Sequence, residues 1–408
     1  MMDICEYYKC TGCAACVNAC AHHCIQLLPD KYGELHPYVD NEKCLNCGLC
    51  QKVCPNNSSI EFRYPIRCMA SWIDNEKKRK KCASGGIGTI MSEYVINNGG
   101  VVFGSRYEED LHPIITYTEH LDELDYFKGS RYVQSVINKD TFKRVLDFLQ
   151  KGKMVLFIGT PCQVAGLLTY LKKPYENLIT VDLICHGVCP SSYLNEEINY
   201  LKTKYRLNNI TDARFRGNDG NDFILTLWNS EGEKLYPRDT YLQKLFFDDI
   251  SEQYYLTGFL LGVSMRENCY SCNYARPERI SDITIGDFIG LGKTEPFKYS
   301  INNVSSVLLN TNKGESFYSL VSANTSELTN IERSYAERLE YKPSLVHAFE
   351  RHPYNYSFRE EYLKHGYAKA IRIVLKEHMK NRQKRMQREV PKLIIGKVSR
   401  VIKKIIRH

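Results

Sequence analysis

The sequence predicts an α+β unit at its N-terminal end, then a mixed α/β domain and a basic helical tail. Three observations carry this. Cys10, Cys13, Cys16 and Cys20 recur 34 positions later as Cys44, Cys47, Cys50 and Cys54, so the first unit is a duplication. From Cys82 onward helical and strand patterns alternate. From Tyr367 to the end, fourteen Lys and Arg face two acids, a net of +12 against +8 for the whole chain, so the body is mildly acidic. With 408 residues the chain has room for two or three domains and a large core. No apolar run approaches the eighteen residues of a membrane-spanning helix, which excludes a chain built of such helices. Met1 to Cys10 is polar and lacks the basic and then apolar run of a signal peptide, so the expected location is the cytoplasm. Seventeen cysteines, clustered and odd in number, point to a reducing compartment and bound metal rather than to disulfides.

The elements follow in order. Residues 1–62 hold both cysteine runs, with a turn and a short strand pair between Asp30 and Val39 around Gly33. Residues 63–81 read as a connector whose charge run, Glu76 to Lys81, is a solvated loop. In residues 82–350 the turn Ser84-Gly85-Gly86 opens a helix with Ile87, Ile90, Met91, Tyr94 and Val95 on one face, and a strand starts at Val101. A helix from Thr141, a strand from Met154, a helix from Gln163 and a strand from Leu178 to Cys185 follow. Residues 210–248 alternate like strands and 304–323 add a strand and a helix, which predicts a mixed sheet. Residues 351–408 form the basic tail, divided by Pro391.

The spacing C-x2-C-x2-C-x3-C occurs twice, the second time followed by Pro55. In such runs three thiolates bind one 4Fe-4S cube and the fourth cysteine reaches the other cube. This assigns Cys10, Cys13, Cys16 and Cys54 to one cluster and Cys44, Cys47, Cys50 and Cys20 to the other, and makes the first domain ferredoxin-like. Zinc also accepts paired C-x2-C ligands, but a third cysteine two residues further on has no use in a tetrahedral site of that kind. Ala21 stands where the first run would usually carry proline, which removes no ligand. Cys5 and Cys24 are left over and read as small buried side chains.

Cys162 and Cys185 end up just beyond two neighbouring strands, where the carboxyl ends of an α/β sheet line a ligand crevice. Cys269 and Cys272 form a separate C-x2-C pair. By spacing alone, a third cube, a zinc site and unligated thiols all stay open for these four.

Ser84-Gly85-Gly86, Lys128-Gly-Ser-Arg-Tyr-Val-Gln-Ser135, Gly159-Thr-Pro-Cys-Gln163, Asp182-Leu-Ile-Cys-His-Gly-Val188, Cys269-x-x-Cys272 and Asp282-Ile-Thr-Ile-Gly-Asp-Phe288 appear in one order across residues 1 to about 350. In these segments the chain resembles the beta subunits of coenzyme F420-reducing hydrogenases and dehydrogenases. The resemblance implies FAD beside a 4Fe-4S cluster held by Cys162, Cys185, Cys269 and Cys272, with Cys189 as an alternative ligand, and makes the second domain flavin-binding. The free amides expected at Ser84, Gly85 and Gly86 suit a phosphate of FAD, although an ordinary cap with glycines for close packing gives the same residues. Lys128, Gly129, Ser130, Arg131, Tyr132, Gln134 and Ser135 are the other expected cofactor contacts. A polar surface loop is their alternative reading. His186 and Asp287 lie nearest these motifs and are the candidate catalytic proton carriers, or else hydrogen-bonded supports of the cluster.

In the tail, Leu393, Ile394, Val398, Val401, Ile402, Ile405 and Ile406 share a helical face opposite lysines and arginines, the pattern of a helix lying on an anionic membrane surface. An acidic protein partner and packing on the body are the alternatives. Nucleic acid is not expected as a partner, since no reading module accompanies the charge. The function expected is an iron-sulfur flavoprotein oxidoreductase that takes single electrons from ferredoxin or a similar donor and acts on a small-molecule substrate, with surface polysaccharide biosynthesis as its expected setting. A coenzyme F420-dependent oxidoreductase and a non-catalytic electron carrier within a larger complex are the rival readings.

Overall fold

The structure, a computed structural model, describes residues 3–217, 223–237, 253–299, 302–341 and 343–385. The duplicated unit contains α1 (Ala15–Ala19), β1 (Ile25–Pro29), β2 (Leu35–Val39) and α2 (Leu49–Lys52). The hairpin β1–β2 pairs antiparallel from Ile25 opposite Val39 to Pro29 opposite Leu35, around the expected turn at Gly33. The two cysteine loops share one backbone: Gly12 and Ala14 are left-handed at φ 65° and 58°, and Asn46 and Gly48, 34 positions on, at 53° and 70°.

The second unit is built on β3 (Arg67–Ile73), α3 (Glu76–Lys80), α4 (Ile87–Asn97), β4 (Val101–Tyr107), β5 (Pro113–Thr118), β6 (Val136–Ile137), α5 (Thr141–Gln150), β7 (Val155–Gly159), α6 (Pro161–Leu171) and β8 (Leu178–Leu183). It continues with α7 (Ser191–Tyr205), β9 (Ile210–Arg214), β10 (Thr226–Asn229), β11 (Lys234–Tyr236), α8 (Tyr254–Leu260), β12 (Ile283–Asp287) and β13 (Ser305–Leu309). The last elements are α9 (Asn312–Ala323), β14 (Leu328–Arg333), α10 (Tyr335–Glu340), α11 (Tyr354–His365) and a helix over 367–385, here α12.

The main sheet runs β14-β3-β13-β12-β8-β7-β4-β5-β6. Strands β12, β8, β7 and β4 are parallel to one another and the flanking pairs β12–β13 and β4–β5 are antiparallel, so the mixed sheet expected from the sequence is present. Val155, Leu156 and Phe157 of β7 are all buried because helices cover both faces of the sheet. On one face α4 and α9 bury Ile87, Ile90, Met91, Val95, Phe317 and Val321. On the other, Phe142, Val145, Val164 and Leu167 of α5 and α6 share a single core with Ala14, Ala15, Val17 and Val53 of the cysteine unit. Polar contacts lock that junction: Asn18 Oδ1 accepts from Phe142 N at 3.0 Å and Thr169 Oγ1 donates to Val53 O at 2.8 Å.

Two expectations about boundaries are corrected. The 63–81 stretch is no mere connector, because β3 lies inside the sheet between β13 and β14, and the expected solvated charge run folds as α3, with Arg79 buried. A strand that is apolar on both faces between two antiparallel neighbours gains more from the sheet than from solvent. The described part of the tail is also part of the body: α12 buries Tyr367, Ala370, Ile371, Leu375 and Met379 in a core with Tyr255, Leu256 and Phe259 of α8. Arg372 makes a bidentate pair with the buried Glu197 at 2.7 and 2.8 Å. The membrane-binding face expected at Leu393 to Ile406, and the strand pattern expected over 238–248, lie outside the described residues. Among the described residues no helix is long and apolar enough to cross a membrane.

Candidate metal centres

Cys10, Cys13, Cys16 and Cys54 line one cavity together with Cys5, Gly12 and Ala15. The left-handed turns at Gly12 and Ala14 fold the loop back on itself, so that amides of Gly12, Ala15 and Val17 reach the thiols of Cys10, Cys13 and Cys16. Burial pushes the Cys13 thiol up to about 12, whereas contact with the Cys5 thiol pulls Cys54 down to about 7. In the second copy, Cys20 Sγ lies 3.3 Å from Cys24 Sγ, and Cys24 also meets Cys44. Cys54 thus sits with the first loop, and Cys20 touches Cys24, which in turn meets Cys44 of the second. Cys47 is exposed, so the second set faces solvent while the first is covered by α6. Neither spare cysteine is merely a buried apolar side chain, since each stands against a set of candidate ligands.

The dispersed cysteines converge as well. Cys162, Cys185, Cys269 and Cys272 line one cavity with Thr160, His186, Asn268, Tyr274 and Phe349. Pro161 at the first position of α6, with Gln163 Oε1 accepting from Thr160 N at 3.0 Å, fixes the helix start and so the place of Cys162. The Thr160 hydroxyl is 3.2 Å from Cys162 Sγ, and Gly187 N donates to Cys185 Sγ at 3.4 Å. Cys269 sits in the 3-10 turn Glu267–Ser271, with Cys272 immediately beyond it. Burial pushes the Cys162 thiol up to about 11 and Cys185 to about 12, and each thiolate would repel its neighbours. A bound metal cation reverses that balance by deprotonating the thiols it coordinates, so the donor chemistry of all three sets fits an iron-sulfur cube.

This third cavity abuts the first. Thr11 lines it, and a side chain at Gly166 would start 3.0 Å from Cys13 Sγ. Gly166 is one helical turn beyond Cys162 on α6, so the backbone of one helix separates the two cysteine sets. Tyr274, buried, feels Cys162 and Cys272 on one side and Cys13 and Cys54 on the other.

Several expected site residues serve the fold instead. Ser84 Oγ donates to Val304 O at 3.0 Å, Gly85 N to Ser305 Oγ at 2.9 Å and Gly86 N to Ala83 O at 3.1 Å, so these groups are not turned toward a phosphate. A Cβ on Gly85 would lie 2.3 Å from Ser71 O, which makes close packing on β3 the reason for glycine there. The segment from Lys128 to Ser135 is not a surface loop. Lys128 Nζ reaches Asp125 and Gly129 O accepts from Phe215 N and Arg216 N. Ser130 is left-handed at φ 52°, Arg131 Nη1 donates to Lys128 O at 2.7 Å, and Tyr132 stacks on Phe259 at 4.9 Å. Gln134 Oε1 accepts from Arg266, and Ser135 O accepts from Gln163 Nε2 at 2.8 Å. Asp287 is held by Arg216 in a bidentate pair at 2.7 and 2.9 Å and does not line the third cavity, so it is a partner for a buried cation rather than a proton carrier poised at the cysteines. His186 does line that cavity, between Phe259 at 5.0 Å and Phe349 at 4.5 Å. Cys189 turns to Ser264 Oγ at 3.3 Å and is no substitute ligand.

Two arginines escaped the sequence reading. Arg266 is fully buried and bridges the first and third sets. Arg338 of α10 is fully buried over the ring of Phe288, and its Nε, Nη1 and Nη2 have no hydrogen-bond partner among the described residues. Arg266 stands three residues before Cys269, but a lone arginine in a sequence carries no sign of burial.

Residues 9–58 match the model of the 4Fe-4S dicluster domain, and residues 152–334 match that of the C terminus of the coenzyme F420 hydrogenase/dehydrogenase beta subunit. The chain joins these two domains. The coenzyme F420-dependent sulfite reductase of Methanocaldococcus jannaschii is 22% identical over 329 residues, covering 77% of this chain and 46% of that protein; the chain thus spans about half the length of that relative. An uncharacterized protein in the rpl9-rpl11 intergenic region of Porphyra purpurea is 37% identical over 54 residues, 13% of this chain and 72% of that one. A chain in the solved F420-reducing [NiFe] hydrogenase complex of Methanosarcina barkeri aligns at a TM-score of 0.41 and 13% identity, over 77% of this chain and 92% of its own. The dicluster match covers the eight cysteines of the two C-x2-C-x2-C-x3-C runs, and the hydrogenase/dehydrogenase match spans all four of the dispersed set.

Proposed function

We propose that this chain is an iron-sulfur flavoprotein oxidoreductase that accepts single electrons from a ferredoxin-like donor and transforms a small-molecule substrate beside the third cysteine set. The observation that carries the reading is the convergence of Cys162, Cys185, Cys269 and Cys272 on one cavity that also touches Thr11 of the dicluster domain. In this reading Cys10, Cys13, Cys16 and Cys54 hold one cube, Cys44, Cys47, Cys50 and Cys20 a second, and the four dispersed cysteines a third. When bound, such clusters exchange single electrons at potentials between about −700 and +450 mV, and a flavin supplies the change from one-electron to two-electron chemistry.

The residues around the cavity have definable work. Phe259 and Phe349 fix the His186 ring against the cysteine set, where a ring nitrogen meets a proton at the substrate. The donors expected at Ser84 to Gly86 and Lys128 to Ser135 are used within the fold, so in this reading other groups hold the flavin. The exposed Cys47 edge suits docking of an electron donor.

A second reading, electron exchange with coenzyme F420 itself, is favoured by the hydrogenase/dehydrogenase match. Anaerobically purified protein tests both. The expected result is about twelve irons and as many sulfides, three cubes of four, with one FAD per chain. About eight irons would remove the third cube, and a chain without flavin would leave an electron carrier. Loss of the visible absorbance of F420 on mixing with reductively loaded protein would select the second reading.

A further inference from the structure

Arg266 is 0% exposed, and every group its guanidinium touches is neutral. Nε donates to Asn268 Oδ1 at 3.1 Å, Nη1 to Gln134 Oε1 at 2.8 Å, and Nη2 to the carbonyls of Cys10 at 3.2 Å and Leu35 at 3.1 Å. Among the described residues no carboxylate stands at ion-pair distance from it. Glu34 and Glu267, on the segments beside it, are committed to Arg359 and Arg351. A guanidinium does not shed its proton, and a buried charge without a counter-charge is strongly unfavourable. Its counter-charge therefore has to come from the cysteine sets that its hydrogen bonds reach at either end. One end is Cys10, in the first cysteine set. The other is Asn268, which lines the third cavity next to Cys269.

We propose that Arg266 is the shared counter-cation of the first and third centres, offsetting the negative charge of both ligand sets and raising both reduction potentials. The inference rests on the reading that the dispersed cysteines hold a cube. A cation beside a cluster favours its reduced, more negative state. Removing the cation lowers the potential, and so does pairing it with a carboxylate.

The test is an anaerobic redox titration of the whole cluster-loaded chain, followed by electron paramagnetic resonance. Arg266→Gln removes the charge. Gln134→Glu leaves the arginine in place and sets a carboxylate where an amide oxygen now lies 2.8 Å from Nη1, a near-isosteric change that keeps the test open if the first variant fails to fold. Both are expected to lower the midpoints of the first and third centres and to leave that of the Cys44 set unmoved, while Arg266→Lys keeps wild-type midpoints. Unmoved midpoints in Gln134→Glu, a shift at one centre alone, or an equal shift at all three would overturn the proposal. Iron counted on the same samples separates the two failures. About eight irons instead of about twelve sinks the third cube and the shared role with it; a full count with unmoved midpoints sinks only the role of Arg266.

Discussion

Gly166 and Asp287 illustrate what single residues do here. A side chain at Gly166 would press on Cys13 from 3.0 Å, so Gly166→Val should destabilise the chain by about 1–3 kcal/mol through overpacking. Iron should fall selectively at the centre holding Cys13. Chemical denaturation and iron analysis on one preparation check this, and an intact iron content at unchanged stability would contradict it. Asp287→Asn turns the bidentate carboxylate partner of the Arg216 guanidinium, 4% exposed, into a neutral amide. Asp287 itself is 30% exposed, so the expected loss is about 2–3 kcal/mol, below that of a fully buried pair. Turnover per folded molecule should stay near wild type; a selective loss of turnover at full stability would restore Asp287 as a proton carrier. The cysteines at this scale were legible because their spacing is itself the chemistry. The pairing of Asp287 was not legible because a carboxylate close to a cysteine motif in sequence says nothing of a guanidinium 71 residues away.

At the scale of elements, β3 and α12 decide what counts as the body. A chain starting at residue 82 lacks the strand between β13 and β14, leaving two buried edges unpaired. It should be recovered only as aggregate, and a soluble product with a strand-rich circular dichroism spectrum would contradict an interior place for β3. Ile371 of α12 is fully buried and reaches α8 at Gly258. Ile371→Ala should cost about 2–5 kcal/mol in a denaturant titration; a cost below about 0.5 kcal/mol, the level of a surface change, would show that the helix does not belong to the core. The alternating helix and strand pattern revealed β4, β7, β8 and β13, four of the nine strands of the main sheet, and α4 to α6, because apolar periodicity reports burial. It could not rank β3 as an interior strand, since its partners β13 and β14 come more than 200 residues later.

Across the whole molecule the cysteine sets are graded by depth. Cys47 is exposed and Cys44 half-buried, the Cys13 set is covered by α6, and the third set lies at the carboxyl ends of β7 and β8. In the native protein, a strong ferrous chelator added during mild oxidation should therefore withdraw about four irons, one cube, in a first fast phase. Replacing Cys47 by Ser should abolish that phase and leave the slower ones. A single phase releasing all the iron would contradict the grading.

By itself the amino-acid sequence determined the doubled cysteine loops and the mixed α/β class, because these depend on short spacings and on local periodicity. Only the tertiary structure decided that the dispersed cysteines share one cavity against the first set. It also decided that Ser84 to Gly86 and Lys128 to Ser135 are framework and that Arg266 is buried between two sites. Those facts depend on which distant segments exclude water from one another, and no window along the chain contains both partners.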